Sequence, residues 1–329
     1  MPVVPAIVLA DTVAVFGVES PAYAVIRFVQ FSAVTILIGL LALVQLVLPR
    51  FARAQVGHDS LREAIVARVL RWTRMALVAL AFATLARLAA QHVVYFEDAQ
   101  WSMETMRPLL LLSGWGHAWL LAAAAILLGL FAHRLASQQR RGSWLLLTCT
   151  TFVLAWSLAM SGHAAAASDP LVAMTLDAIH VVAAGGWMGS LAMLMVIAVP
   201  TALETSNEDG HRLVARLIAA FSPTALSFAS LLALTGAVAA WRNLGSWNAL
   251  LTSTYGQLLI LKLLLVLTAA ATGAINWRRV LPRLGLPSAT RTLRRSATIE
   301  IAAAIAILAV TAVLVAAPTP DLSSVAVGP

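Results

Sequence analysis

The sequence predicts an all-α, polytopic membrane bundle of about eight transmembrane helices, with both termini on the outer, periplasmic side. Three observations carry this. Of 329 residues, 61% are hydrophobic and only 11% charged, with a mean hydropathy of +0.89, whereas a water-soluble domain carries about 25% charged residues. The apolar residues form continuous Ala- and Leu-rich runs that reach the roughly 20 residues a helical span needs, far beyond the alternating segments of about 10 residues that build a membrane barrel. The bases, 21 arginines and Lys262, collect in alternate connections between those runs.

Taken in order, residues 1–20 read as a short outer tail. No basic stretch leads their apolar run and Asp11 interrupts it, so an exposed tail is expected rather than a cleaved signal. Charged residues, Pro and Gly then delimit spans at 21–48, 73–96, 108–132, 144–164, 171–202, 214–240, 255–277 and 297–317, with an outer tail at 318–329. The first stops at Pro49, Arg50 and Arg53; the second lies between Arg74 and Glu97; the third opens at Pro108 and closes before Arg134. The fourth follows Arg140 and Arg141, and a short SGHAAAASD connection leads to the fifth; Arg212 and Arg216 precede the core of the sixth. The seventh ends at Arg278 and Arg279, and the eighth begins after Arg294 and Arg295. Residues 21–164 form an N-terminal four-helix membrane half and 165–317 a C-terminal one.

Orientation follows from the bases. The connections after spans one, three, five and seven hold 17 of them, against Arg107 and Arg242 on the other side. By the positive-inside rule the 17 face the cytoplasm. The net charge of +8 therefore reports topology, with the lipid bilayer as partner and no nucleic acid. Cys149 is the only cysteine, which excludes an intramolecular disulfide and any thiolate cluster within one chain. There is no Gly-rich phosphate loop, HExxH, GxSxG or CxxC, so ATP-driven transport by this chain is unsupported.

Ionisable groups inside a span cost free energy and by default suggest function. The densest set is in span five, MTLDAIHVVAAGGWMGSLAML, where Asp177 and His180 are three apart on one face and Trp187 lies seven further on nearly the same stripe. Counting the helical rise from Leu171 puts His180 roughly 13 Å deep. Asp177 is expected to accept a proton from one ring nitrogen, leaving the other as a metal ligand; the alternative is a polar pair gluing helices beside a Gly185/Gly189 contact. Met160 and His163 share a face at the end of span four, and Met174 lies near the outer end of span five. Thioether sulfur selects Cu(I), and imidazole suits several transition metals. In the second outer loop, HVVYFEDAQWSMETMR, Met103 and Met106 form an MxxM pair with Trp101, and His92 ends the preceding span. Lys262 lies about 10 Å into span seven, where it either neutralises Asp177 or excludes cations. Glu300, near the inner start of span eight, is expected to pair with Arg294 or Arg295 or to act as an exit ligand or proton site.

These residues together resemble the copper resistance protein D (CopD) family of bacterial inner-membrane proteins. The resemblance rests on SGHAAA at Ser161 to Ala166, DAIHVVAAGGWMGSL at Asp177 to Leu191, and the later segments FSPTALSFASLLALTGAVAAW, TYGQLLILKLLLV, NWRRVLPRL and LRRSATIEI. It implies a multi-pass protein of the bacterial cytoplasmic membrane that moves copper, with uptake the expected direction, and not an enzyme. It also implies a periplasmic copper-binding partner of the CopC type, expected as a separate protein. His163 and His180 are the matched histidines, and Trp187, Lys262 and Glu300 are matched family positions. Met160, Met174, Asp177, Met103, Met106 and His92 complete the candidate metal-binding set. The alternative is a haem-binding oxidoreductase or haem-handling protein with His163 and His180 as axial ligands of haem b.

Overall fold

The computed structural model describes residues 20–54, 57–96, 100–162, 164, 167–205, 209–244, 246–280 and 287–317. Eight helices are long and apolar enough to cross a membrane, and no strand occurs among the described residues. Helix α1 runs Pro21–Ala54, with a wide π turn at Leu43–Val47. Then come α2, Asp59–Phe96; a short α3, Met103–Leu111; α4, Gly114–Ser137; and α5, Ser143–Met160. Helix α6 spans Pro170–Glu204 with π turns at Gly185–Gly189 and Leu194–Ala198. The chain continues through α7, Gly210–Leu244; a short α8, Trp247–Thr252; α9, Thr254–Ile275, which runs into a π turn at Asn276–Val280; and α10, Pro287–Leu314.

Several boundaries differ from the sequence reading: α1 runs on to Ala54 instead of ending at 48, and α10 starts at Pro287 instead of 297. Helix α2 starts at Asp59 instead of 73 because Leu61, Ile65 and Val69, spaced four apart, are buried, while Arg62 is exposed and Arg68 reaches across to α6. The third span begins at Gly114 instead of 108. Ser102 and Thr105 form a reciprocal cap that starts α3 as a separate helix, and the Ser113 hydroxyl accepts from the Gly116 N–H at 2.9 Å to start α4.

Cross-helix pairs show which ends meet. Arg68 near the start of α2 bonds Thr201 at 2.8 Å and pairs with Glu204 at the end of α6, while Arg50 at the end of α1 donates to Thr224 in α7. Between them lies the largest apolar core, built from Leu43, Val47, Ile65, Leu194, Ile197 and Leu217 among others. At the opposite face Tyr23 of α1 donates to Gln91 of α2 at 3.3 Å and accepts from Arg87 at 3.2 Å. Arg27 lies over the Tyr23 ring, 4.6 Å from its centre.

Helix α1 is the hub, in contact with α2, α5, α6 and α10; 67% of its apolar window is buried, against 11% for α9. Its approach to α6 is backbone-close. A Cβ on Gly189 would run into the Thr35 carbonyl, one on Gly39 into the Gly189 backbone, and one on Gly185 would lie 2.6 Å from Ile38 Cβ. The small residues at 185 and 189 are thus a helix contact of the kind their spacing suggests.

The order of two long helices, a Ser-capped short helix and two more long helices occurs twice. In both copies a serine, Ser113 or Ser253, caps the third long helix, and a glycine three residues later, Gly116 or Gly256, lies against backbone of the short helix. The contact of α1 with α7 through Arg50 mirrors that of α6 with α2 through Arg68.

Candidate metal-transfer site

His180 sits three turns into α6, half-buried, facing α7. Its Nδ1 lies 3.0 Å from Thr235 Oγ1. The single Thr235 hydroxyl proton is already directed back to the Leu231 carbonyl at 2.8 Å, so the threonine oxygen accepts and His180 Nδ1 carries the proton. That leaves Nε2 as the unprotonated nitrogen with its lone pair free to ligate. Gly236 makes room for the ring, since a Cβ there would stand 3.2 Å from His180 Cε1.

The partner of His180 is therefore Thr235, not Asp177. One helical turn back on the same helix, Asp177 makes no hydrogen bond to the ring, and its electrostatic neighbours are Lys262, Arg242 and Tyr255. Lys262 of α9 interacts electrostatically with both Asp177 and His180, so two helices, α6 and α9, place one carboxyl, one imidazole and one amine within reach of one another. The near ends of α6, α7 and α9 are tied by Arg242 of α7, which grips Asp169 with two guanidinium nitrogens, and by Asn243, which donates to Tyr255 Oη at 3.1 Å. That grip holds the Asp169 carboxyl below its ordinary value of 3.8, chiefly through the Arg242 hydrogen bond.

Met160 is the last residue of α5 and Met174 lies in the second turn of α6; both are half-buried, and the two helices pack together. His163 lies outside the described residues. Trp187 falls inside the π turn at Gly185–Gly189, where the extra residue per turn offsets it from the regular stripe through His180.

The second group is separate. Met103 and Met106 stand on α3 instead of in an irregular loop, Met103 exposed and Met106 half-buried. His92 is 1% exposed, with Nε2 3.1 Å from Thr105 Oγ1 and its ring stacked on Trp101 at 4.5 Å. Nε2 thus links His92 of α2 to Thr105 of α3, and one ring face lies against Trp101. Nothing among the described residues links this group to His180. Glu300 is also placed differently. It is buried and accepts from Asn276 Nδ2 at 2.6 Å, and Asn276 Oδ1 in turn accepts from Ser296 at 2.7 Å. Its bond is to this amide, and it forms no ion pair with Arg294 or Arg295. Among the described residues no three His, Cys, Asp or Glu side chains converge as a metal cage.

Residues 18–171 match the family model described as copper resistance protein D-like, N-terminal domain, and residues 215–314 match copper resistance protein D. The chain belongs to the copper resistance protein D family. Within this CopD chain, Met103, Met106, Met160 and His163 fall in the first matched segment and Lys262 and Glu300 in the second, while Asp177, His180 and Trp187 lie between the two. The copper transport protein CutJ of Bacillus subtilis (strain 168) is 27% identical over 211 residues, covering 62% of this chain and 37% of that protein. The chain thus spans little more than a third of that relative's length. No solved structure matches it.

Proposed function

We propose that this CopD-family protein moves copper across the bacterial cytoplasmic membrane, inward, and that His180 is its intramembrane ligand. The observation that carries the reading is the contact of His180 Nδ1 with Thr235 Oγ1, whose hydroxyl is turned to the Leu231 carbonyl; Nδ1 then donates, and Nε2 is left as a ligand within a span. The family name and the copper-transport relative favour copper over haem b as the cargo of these histidines and transport over enzymatic turnover. Copper arrives from a periplasmic protein of the CopC type at the face that carries Met103, Met106, Met160, His163 and Met174. Soft thioether sulfur there suits Cu(I), and exchange between neighbouring sites of few ligands spares the ion the cost of entering hydrocarbon bare. Asp177 offsets the charge of Lys262, which would otherwise repel a cation beside His180. His92 holds α3 in place. Glu300 serves the arginine-rich side as an exit site, and Trp187 shapes the α6 turn between them. The two four-span halves, 21–164 and 165–317, frame this path.

The test is copper flux into proteoliposomes loaded with a copper chelator. His180→Ala, at normal incorporation, is expected to lose about tenfold or more of the flux, whereas His133→Ala, at the arginine-rich end of α4, keeps it. Unchanged flux in His180→Ala overturns the assignment. An intense haem absorption band in the purified protein, in place of bound copper, overturns the choice of cargo.

A further inference from the structure

At the arginine-rich face a cavity of about 430 Å³ opens between the end of α6, the start of α7 and the first turns of α10. Arg291, Arg294, Arg295 and Thr298 line one wall; at steps of three, four and seven residues they share a single face of α10. Leu203 and His211 line the other wall, and His211 Nδ1 lies 3.0 Å from Thr290 Oγ1, which fastens the two walls together.

Three arginines thus line one open pocket, none of its other lining residues is acidic, and none of the three forms an ion pair among the described residues. Like charges held this close repel, and a bound anion removes the repulsion. Arginine forks match the oxygens of a phosphate, with two parallel charge-assisted bonds from each fork. The arginines lie in the first turns of the span Ser288–Leu314, ahead of its apolar stretch. Leu203 and the arginine methylenes supply an apolar wall for a glycerol backbone. Basic pockets between transmembrane helices bind anionic headgroups on this physical basis.

We propose that this cavity is a phosphate-binding site, occupied by the headgroup of an anionic phospholipid, which clamps α10 to α6 and α7. The proposal is independent of the copper path, because no residue of the His180 cluster takes part.

The test uses the delipidated full chain in detergent and native mass spectrometry with dioleoyl phosphatidylglycerol, dioleoyl phosphatidylcholine or sodium phosphate. The wild type is expected to bind phosphatidylglycerol about tenfold more tightly than phosphatidylcholine, and R291Q/R294Q/R295Q to lose that preference. R140Q/R141Q, on the same face but away from the cavity, keeps it. Phosphate ion that binds the wild type as tightly as the lipid, and not the triple variant, upholds the site and identifies its occupant as soluble phosphate. Equal lipid and phosphate binding by wild type and triple variant overturns the proposal, as does an equal loss in R140Q/R141Q. If the triple variant does not fold, R294Q alone is expected to lose several-fold, and unchanged binding by it overturns the proposal.

Discussion

At the residue scale the decisive contact is one that sequence spacing could not supply. Asp177 and His180 are three apart, so a polar pair within a span was legible, and Asp177 was the natural candidate to hold the ring. Thr235 lies 55 residues away on another helix, and only the fold brings its hydroxyl to Nδ1. A threonine in a membrane helix ordinarily satisfies itself by bonding back to its own turn, as Thr235 also does, so nothing marks it in the sequence. Thr235→Val should release the ring while keeping the shape of the site. Copper affinity is expected to fall about 10- to 100-fold, as when the outer partner of a ligating histidine is lost, and Thr235→Ser should restore most of it. Isothermal titration of Cu(I) into purified protein checks this, and equal affinities for wild type and Thr235→Val would sink the assignment. His92 is a parallel case. A histidine among methionines has the composition of a metal site, and the fold adds what spacing could not show: Nε2 is held by Thr105 and one ring face by Trp101, which leaves Nδ1 as the nitrogen for any ligand.

At the element scale, hydropathy revealed the number of spans but not where amphipathic extensions begin or where a helix widens. The first turns of α2 escape a hydropathy reading because Arg62, Arg68, Arg71 and Arg74 dilute Leu61, Ile65 and Val69, which face a core only visible in three dimensions. The signals for α3 were present as Ser102 and Ser113 at capping positions, but Pro108 reads equally as the opening of a span. The π turns of α6 leave no mark beyond the small residues of GGWMG. Those small residues set the distance between α1 and α6, which makes the contact testable. Gly189→Val puts a branched side chain into the Thr35 carbonyl and should destabilise the protein by about 3 kcal/mol. Thermal unfolding in detergent measures it, with Gly162→Val, whose nearest atoms lie at 3.7 Å, as the tolerated control.

At the scale of the whole molecule, the asymmetry of the arginines gives a prediction about topology. The ends of α1, α4 and α9 and the starts of α2, α7 and α10 carry the basic residues, and the cross-helix pairs gather the ends of α1 and α6 with α2, α7 and the start of α10 at one face. In a Cys149→Ser background, Arg140→Cys is expected to react with a membrane-impermeant maleimide from the cytoplasmic side only. Labelling from outside intact spheroplasts would invert the orientation. The repeated order of long and short helices was not legible, because its two copies share serine caps and a glycine contact but little sequence, and side chains facing lipid constrain identity weakly. The position of α1 carries a consequence for biogenesis. Helices adjacent in sequence can pair before distant ones, yet α1 rests not only on α2 but also on α5, α6, α7 and α10. Its buried polar residues Arg27 and Gln30 are covered by α2 before those helices pack, and the Tyr23–Arg87–Gln91 contact, which joins α1 to its neighbour in sequence, is the clasp available to the α1–α2 hairpin at that stage.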